Sequence, residues 1–317
     1  MCERYSNHFI LSRYQLSKQT FERAGYDAEQ GSRYLKRAVE LASKARTSHL
    51  GSTPNTPIYI ALSLGPFGAT LSPTQEFSGV YPEPFGTESN SDCSPPFQPS
   101  DDLHLVALAQ FHFERLWTYC SDEPTWNRID SIAFETVILV REVLAIRMAY
   151  GMLLKRIAQD NLHRTMKPWW ISGVFPHQKL RQNPLAVGHF VRAVFSLSDL
   201  FPTPSAIGVN CSALEDIQTI LEGYRSVARE VVGMTSPSPW LVIYPNGPSS
   251  YDPALDSWSK KTVPQRVKWA IGLVEIMKPF LQNLDPFGGV IVGGCCQVGT
   301  KELALLRIVL AKEGFVV

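Results

Sequence analysis

Seven short apolar runs alternate with longer amphipathic stretches along the chain. Most of the runs are continuously apolar, which is typical of strands covered on both faces, as in a parallel sheet. We therefore predict seven buried strands, at residues 9–11, 58–62, 131–134, 169–171, 206–209, 240–244 and 289–292.

Between the apolar runs, apolar residues recur at spacings of three and four, which predicts amphipathic helices. A series of βα units without a clear break favours either a doubly wound sheet or a (β/α)8 barrel. Seven units are one fewer than a closed barrel of this kind requires. The predicted helices lie at residues 28–45, 101–119, 139–158, 184–197, 214–232, 264–281 and 301–310.

The pattern continues without a linker, so we predict one domain over residues 1–317. Residues 72–100 interrupt it as an inserted loop rich in Pro and Ser. A loop of this length is usually either functional or disordered. Neither an internal repeat nor a low-complexity tract is visible.

Composition excludes several classes of protein. Hydrophobic residues make up 44% and charged residues 19%, which is enough for a sizeable core, and the net charge is +1. This balance gives no indication of nucleic-acid or membrane-surface binding. No apolar run has the 18 or so residues of a membrane span, and no signal peptide is visible. We expect a cytoplasmic protein with reduced thiols; the sequence indicates no oligomeric state.

Three of the six cysteines follow predicted strands. Cys211 ends one strand, and the adjacent Cys295 and Cys296 end another after Gly293-Gly294. Parallel α/β folds gather their sites at the carboxyl ends of strands, and three thiolates there predict a zinc site with one open position. The alternative is that these cysteines are simply buried in the core. The remaining three have no such placement: Cys2, Cys93 and Cys120.

Several motifs resemble those of the homocysteine S-methyltransferase family, and they occur in family order from about residue 9 onward. The most specific are Gly-Val-Asn-Cys211 and Gly-Gly-Cys295-Cys296. The others are Tyr14-Gln15, Leu64-Gly-Pro-Phe-Gly-Ala-Thr-Leu, Glu76-Phe-Ser-Gly, Ala-Phe-Glu135-Thr, Trp169-Trp-Ile-Ser and Tyr244-Pro-Asn-Gly. The long Pro-rich loop is most similar to the fungal members.

The resemblance implies an α/β fold of the (β/α)8 TIM-barrel type. It implies that Cys211, Cys295 and Cys296 hold Zn²⁺, and that the homocysteine thiol becomes the fourth ligand. It also implies that Glu135 contacts the α-amino group of homocysteine. No catalytic residue beyond the metal site is expected, because the methyl donor would be a sulfonium, S-methylmethionine or S-adenosylmethionine, which leaves as a neutral thioether.

The chain departs from the family at its start, where members have a first strand that ends in Asp-Gly-Gly. The resemblance therefore implies a barrel whose first strand and helix are missing from this chain, which accounts for the seven units. One hypothesis is an active methyltransferase that makes methionine. The alternative is a truncated, catalytically impaired pseudoenzyme that binds zinc or homocysteine. A structural protein with three buried cysteines is the remaining possibility.

Overall fold

The computed structural model describes residues 7–12, 14–52, 57–86, 102–183, 185–197, 201–232, 237–249, 251–252, 257–258 and 261–315. Cys2, Cys93 and residues 87–100 of the predicted loop lie outside these ranges. The chain forms two compact units, which are described separately below. Unit 1 comprises Met1–Ile171 and Ser196–Ser205, and unit 2 comprises Ser172–Phe195 and Ala206–Val317.

All seven predicted strands are present, and their ends lie within three residues of the ends of the predicted runs. A short hairpin, formed by two strands of two residues each, was not expected from the sequence. In chain order the strands are β1 (Asn7–Ser12), β2 (Ile58–Leu64), β3 (Ser131–Val137), β4 (Trp169–Gly173), β5 (Ala206–Asn210), β6 (Trp240–Tyr244), β7 (Tyr251–Asp252), β8 (Ser257–Trp258) and β9 (Val290–Val292).

Each predicted helix is also present, and three six-residue helices accompany them. The helices are α1 (Lys18–Arg23), α2 (Ala28–Ser52), α3 (Leu103–Cys120), α4 (Glu123–Arg128), α5 (Val140–Gln159), α6 (His177–Gln182), α7 (Ala186–Phe195), α8 (Leu214–Val231), α9 (Val263–Gln282) and α10 (Thr300–Lys312).

Capping residues set several of the helix starts. Helix α3 begins at Leu103, two residues later than predicted, because the Asp102 carboxylate accepts the N–H groups of His104 and Leu105. Helix α9 begins with a capping box, in which Thr262 and Gln265 each accept the other's backbone N–H. Such caps satisfy backbone donors that a helix end leaves without partners.

In unit 1, strands β1, β2 and β3 pair in parallel in that order. The register runs from Asn7 opposite Ile58 to Ser12 opposite Ser63. Every residue of β3 is buried, as expected for a strand covered on both faces. Helices α3 and α5 supply much of a buried apolar cluster that includes Phe67, Tyr81, Leu105, Leu108, Ala109, Phe111, Ala145 and Phe201.

In unit 2, strands β5, β6 and β9 pair in parallel. Helix α8 packs on β5 through Tyr224, whose hydroxyl donates to the carbonyl of Gly208 at 2.8 Å. The strand ends of β5, β6 and β9 therefore point the same way, which brings the segments that follow them to one edge of the sheet.

Among the helices in the described ranges, none combines sufficient length with sufficient hydropathy to cross a bilayer.

Candidate active site

Cys211 directly follows β5 and turns the chain sharply. Its φ is +49°, in the left-handed region that non-glycine residues seldom adopt. Backbone outliers of this kind persist where the surrounding structure holds them, and they are frequent at functional sites. Because of this turn, the Cys211 side chain does not follow the alternation of side chains along β5.

The Cys295–Cys296 pair follows β9 and lies along the segment after β6. The N–H of Cys295 donates to the carbonyl of Pro245, and the N–H of Gly247 donates to the carbonyl of Cys296, each at 2.8 Å. Gly247 allows this approach, because a Cβ there would lie 2.5 Å from the carbonyl oxygen of Gln297. Backbone hydrogen bonds therefore fix both cysteines of the pair.

Asn246 connects the same segment to Cys211. Its side-chain Nδ2 donates to the carbonyl of Cys211 at 3.1 Å, and its backbone N–H donates to the carbonyl of Ser212 at 3.0 Å. The Asn246 carbonyl in turn accepts the indole N–H of Trp269 at 2.8 Å. The Tyr244-Pro-Asn-Gly motif thus holds Cys211 on one side and the cysteine pair on the other.

The three cysteines expected to bind zinc come together. Their sulfur atoms all lie within 4.8 Å of one another, and those of Cys211 and Cys296 are 3.9 Å apart. Cys211 and Cys295 are joined by a disulfide, with Cα atoms 5.6 Å apart. The sequence predicts reduced thiols here, whereas the structure joins these two, whose Cα separation is one that a disulfide spans without backbone movement.

A polar side chain contacts the cysteine cluster, and its three cysteines differ in their exposure to solvent. The Nδ2 group of Asn210, the last residue of β5, lies 3.9 Å from the sulfur of Cys295 and donates to it. Cys296 is exposed, whereas Cys211 and Cys295 are partly buried. One sulfur is therefore open to solvent, and a small molecule can reach the cluster from that side.

An ion-pair group holds the loop that follows the cysteine pair. Lys261 donates to the carbonyl of Gln297 at 2.8 Å and lies 3.4 Å from the carboxylate of Glu302. Glu302, which is 2% exposed, also accepts the N–H of Gly299 at 2.9 Å. Burial opposes ionisation of Glu302, but the hydrogen bond from Gly299 and the charge of Lys261 outweigh it, so its pKa is lowered.

Glu135 lies in unit 1, in the second half of β3, and is buried. The hydroxyl of Ser63, on the neighbouring strand β2, donates to its carboxylate. The following residue, Thr136, has a φ of +62°, which is strained for a β-branched side chain. The carboxylate thus sits where β3 departs from regular strand geometry.

Tyr14 occupies the same region of unit 1. Its carbonyl accepts the N–H of Gly65 at 3.1 Å, and its ring packs so closely that a Cβ at Gly65 would lie 2.6 Å from it. The hydroxyl is hydrogen-bonded to Thr136. Burial, followed by the negative charges of nearby carboxylates, raises the pKa of Tyr14, and these carboxylates are Glu76, Glu135 and Glu142.

Glu142, near the start of α5, is fully buried and well supplied with donors. Its carboxylate accepts the N–H of Phe67 and the hydroxyl of Tyr81, each at 2.6 Å. The Nε2 atom of His112 lies 3.0 Å from it. Burial lowers the pKa of His112 and outweighs the opposing hydrogen bond to Glu142, which favours the neutral imidazole.

Of the other cysteines, Cys120 lies in the described residues. It is buried at the end of α3, and burial raises the pKa of its thiol to about 11. A thiol of this kind is protonated and unreactive at neutral pH.

Sequence reasoning missed several residues of these sites. The side chains of Asn246 and Lys261 donate hydrogen bonds to backbone carbonyls, and no residue pattern predicts such contacts. The Tyr244-Pro-Asn-Gly motif resembles a family motif, and this resemblance could have indicated a role for Asn246. The Glu76-Phe-Ser-Gly motif also resembles the family, but it implies no role for Glu76.

Comparisons with known proteins agree with the motifs. The family model "Homocysteine S-methyltransferase" matches residues 10–310. Homocysteine S-methyltransferase 2 of Zea mays is 27% identical over 97% of this chain and 77% of its own length. The homocysteine methyltransferase MmuM of Escherichia coli has been solved in a metallated and an oxidized form, with TM-scores of 0.56 and 0.57 at 21% and 22% identity. Each alignment covers 95% of this chain and 79% of that one, and shows a similar fold. The chain therefore belongs to the homocysteine S-methyltransferase family.

Proposed function

We propose that the chain transfers a methyl group from a sulfonium donor to homocysteine, giving methionine, in a zinc-dependent reaction. The observation that carries this proposal is the convergence of the three sulfurs of Cys211, Cys295 and Cys296 within 4.8 Å. Family membership supports homocysteine as the methyl acceptor.

The donor set fits zinc. Tetrahedral coordination with Zn–S bonds of about 2.3 Å places two sulfurs about 3.8 Å apart. The Cys211 and Cys296 sulfurs, 3.9 Å apart, match this separation. Because metal ligands must be thiolates, the disulfide between Cys211 and Cys295 and a bound zinc exclude each other. Zinc binding therefore requires the reduced chain.

Three protein ligands leave one position for the substrate thiol. Zinc bound there would supply thiolate character to the homocysteine sulfur at neutral pH. The chain's own residues orient the ligands: Asn210 donates to the Cys295 sulfur, and Asn246 holds the Cys211 carbonyl. Such supporting groups typically change metal affinity or activity by about 10–100-fold when they are removed.

We further propose that Glu135 accepts the α-ammonium group of homocysteine, with Ser63 orienting the carboxylate. The methyl transfer then needs positioning more than acid–base chemistry. The homocysteine thiol loses its proton to solvent, its sulfur forms a bond to the methyl carbon, and the donor C–S bond breaks. The donor leaves as a neutral thioether, so no general acid is required.

We also propose a methyl donor, a fold for the chain and a cellular location. The donor is S-methylmethionine or S-adenosylmethionine, the fold is of the (β/α)8 barrel type in one domain, and the location is cytoplasmic. The alternative function is a catalytically impaired pseudoenzyme that binds zinc or homocysteine.

Purified, reduced chain loaded with zinc provides the test. Methionine should form from homocysteine and S-methylmethionine or S-adenosylmethionine, and the C296A variant should form none. One bound zinc per reduced chain without turnover with either donor would favour the pseudoenzyme. No bound zinc in the reduced chain would exclude the zinc-dependent reaction, and it would leave homocysteine binding as the remaining form of the pseudoenzyme.

A further inference from the structure

Unit 1 contains a cavity between helices α1, α2 and α3, which we call the α1–α3 cavity. Its volume is about 150 Å³. A protein cavity of about this size holds a molecule as large as benzene. Among the described residues, those that line the cavity include neither Glu135 nor Glu142, and none of them is a cysteine. The cavity is therefore built from different residues than the proposed methyl-transfer site.

The wall of the cavity is mostly apolar. Phe21 of α1, Leu35 of α2 and Phe111 of α3 line it, and all three are buried. Gly31 lets α1 pack closely on α2, because a Cβ there would lie 2.9 Å from the ring of Phe21. A ring or a branched hydrocarbon group of about six carbons therefore fits this space and is stabilised by leaving water for it.

A buried positive charge adjoins this apolar wall. Arg115 of α3 lines the cavity and is 5% exposed. Its guanidinium donates to the carbonyls of Gly65 and Tyr14 at 2.6 and 3.1 Å, and its Cζ atom lies 5.2 Å from the centre of the Phe111 ring. Burial lowers the pKa of Arg115 to about 10, so the group stays charged at neutral pH. A carboxylate is the organic group that best matches a guanidinium.

The exposed side of the cavity adds charges of both signs. The ammonium group of Lys18 lies 3.8 Å from Glu22, in an exposed pair that contributes little. Glu114, an exposed residue of α3, accepts from the side chain of Gln110 at 3.0 Å. The lining thus carries two positive charges, of Lys18 and Arg115, and one negative charge. Because a buried charge is screened less than an exposed one, Arg115 dominates and the cavity favours an anion.

We infer that the α1–α3 cavity binds a small monocarboxylate whose apolar body is about the size of a benzene ring. The body lies among Phe21, Leu35 and Phe111, and the carboxylate accepts from Arg115. Two other occupants suit the cavity less well. Inorganic phosphate makes no use of the apolar wall, and a neutral hydrocarbon makes no use of the charge. The inference does not rest on the proposed function, since neither zinc nor homocysteine takes part in it.

The first experiment tests the charge of the ligand. Benzoate, benzamide and benzylammonium share a ring and differ in charge, and calorimetry measures their binding to the full chain. Benzoate should bind about tenfold more tightly than benzamide, because hydrogen bonds between charged groups are stronger than neutral ones. Benzylammonium should bind more weakly than benzamide. No binding of benzoate, or equal or tighter binding of either other probe, would overturn the inference.

The second experiment tests the place of binding. Ser32, on α2, lines the cavity, and Ser32→Leu should weaken benzoate binding about tenfold or more because the larger side chain occupies the space. The matched control is Ser43→Leu, the same substitution about three turns further along α2. Ser43 is also partly buried but lies outside the cavity, so this variant should bind as the wild type does. Equal affinity of folded Ser32→Leu and wild type would contradict the inference.

A third variant keeps the inference testable if Ser32→Leu does not fold. Lys18 is exposed, so Lys18→Gln should fold, and it should weaken benzoate binding about threefold by removing a nearby positive charge. Lys44→Gln, at an exposed residue of α2 paired with Glu40 outside the cavity, should leave the affinity unchanged. A loss confined to Lys18→Gln supports the inference, and unchanged affinity in Lys18→Gln overturns it.

The inference and the proposed function can fail separately. A chain that binds benzoate in the α1–α3 cavity but makes no methionine would contradict the function alone. A chain that makes methionine but binds no benzoate would contradict the inference alone. Benzoate should also bind equally well to the zinc-loaded chain and to the chain that carries the Cys211–Cys295 disulfide, because no cysteine is among the described residues that line the cavity.

Discussion

The cysteine cluster of unit 2 (Cys211, Cys295 and Cys296) and the carboxylate cluster of unit 1 (Glu135 and Glu142) are built by different means. Backbone hydrogen bonds position the cysteine pair, since Cys295 donates to the carbonyl of Pro245 and Gly247 donates to the carbonyl of Cys296. The side chain of Asn246 adds a bond to the carbonyl of Cys211. The carboxylates rely on side-chain donors such as Ser63 and Tyr81. The positions of the cysteines thus depend mainly on backbone hydrogen bonds, whereas the positions of the carboxylates depend on which side chains lie next to them.

The largest effect that distinguishes the two clusters should come from Cys296→Ser. A missing thiolate leaves too few ligands for zinc, so we expect complete loss of the one zinc per reduced chain, measured by elemental analysis. Cys120→Ala, at a buried thiol outside the cluster, is the control and should keep its zinc. Zinc bound stoichiometrically by Cys296→Ser would show that the cluster is not the metal site.

The next largest effect should appear in the carboxylate cluster. Glu142→Gln replaces a carboxylate that accepts from Phe67, Tyr81 and His112 by a neutral amide, and the weaker hydrogen bonds should lower the free energy of unfolding by about 2 kcal/mol. Urea unfolding measures the change, and Glu114→Gln is the control. Zinc content should stay unchanged in the folded variant, because the cysteines do not use these side chains. A simultaneous loss of zinc would contradict the distinction between the clusters.

A smaller effect should follow from Asn246→Ala, because most of the cysteine geometry is held by the backbone. We expect zinc affinity to fall about 10–100-fold, measured by competition with a chelator. Asn283→Ala, which removes a local bond to the N–H of Asp285, should leave the affinity unchanged. A complete loss of zinc from folded Asn246→Ala would show that this side chain matters more than the backbone bonds.

The smallest effect concerns pH. His112 has a lowered pKa in the folded chain, so below about pH 6.5 the unfolded chain binds more protons than the folded one. Its contribution to stability is complete above that pH and is lost as the pH falls, so the free energy of unfolding should decrease between pH 7.5 and 5.5. His112→Gln should flatten this dependence in urea unfolding, whereas the exposed His163→Gln should not. An unchanged slope in His112→Gln would rule out His112 as its source.

The sequence predicted the strands and long helices well, because continuous apolar runs and three-to-four spacing report burial directly. It missed α1, α4 and α6, which have six residues each and are too short to show a period. It also missed the hairpin of β7 and β8, where each strand has two residues.

For the candidate sites, residue types and their positions were sufficient to predict the cysteines, whereas the contacts that position these residues could not be predicted. Cys211 and the cysteine pair were found because thiols that follow parallel strands of one sheet meet at the same edge of that sheet. The bonds from Asn246 and Lys261 to carbonyl oxygens could not be predicted, because any residue supplies a carbonyl. The burial of Glu76 depends on how the segment after β2 folds back, which no local pattern encodes.

The close contact at Gly247 has a consequence for how freely the sequence can vary around the cysteines. Its N–H bonds to the carbonyl of Cys296, and its missing side chain admits the carbonyl of Gln297. Carbonyl and amide groups persist through any substitution except one to proline. Neighbouring positions can therefore be substituted widely without moving the sulfurs. The two requirements are that the thiols remain and that residue 247 remains a glycine.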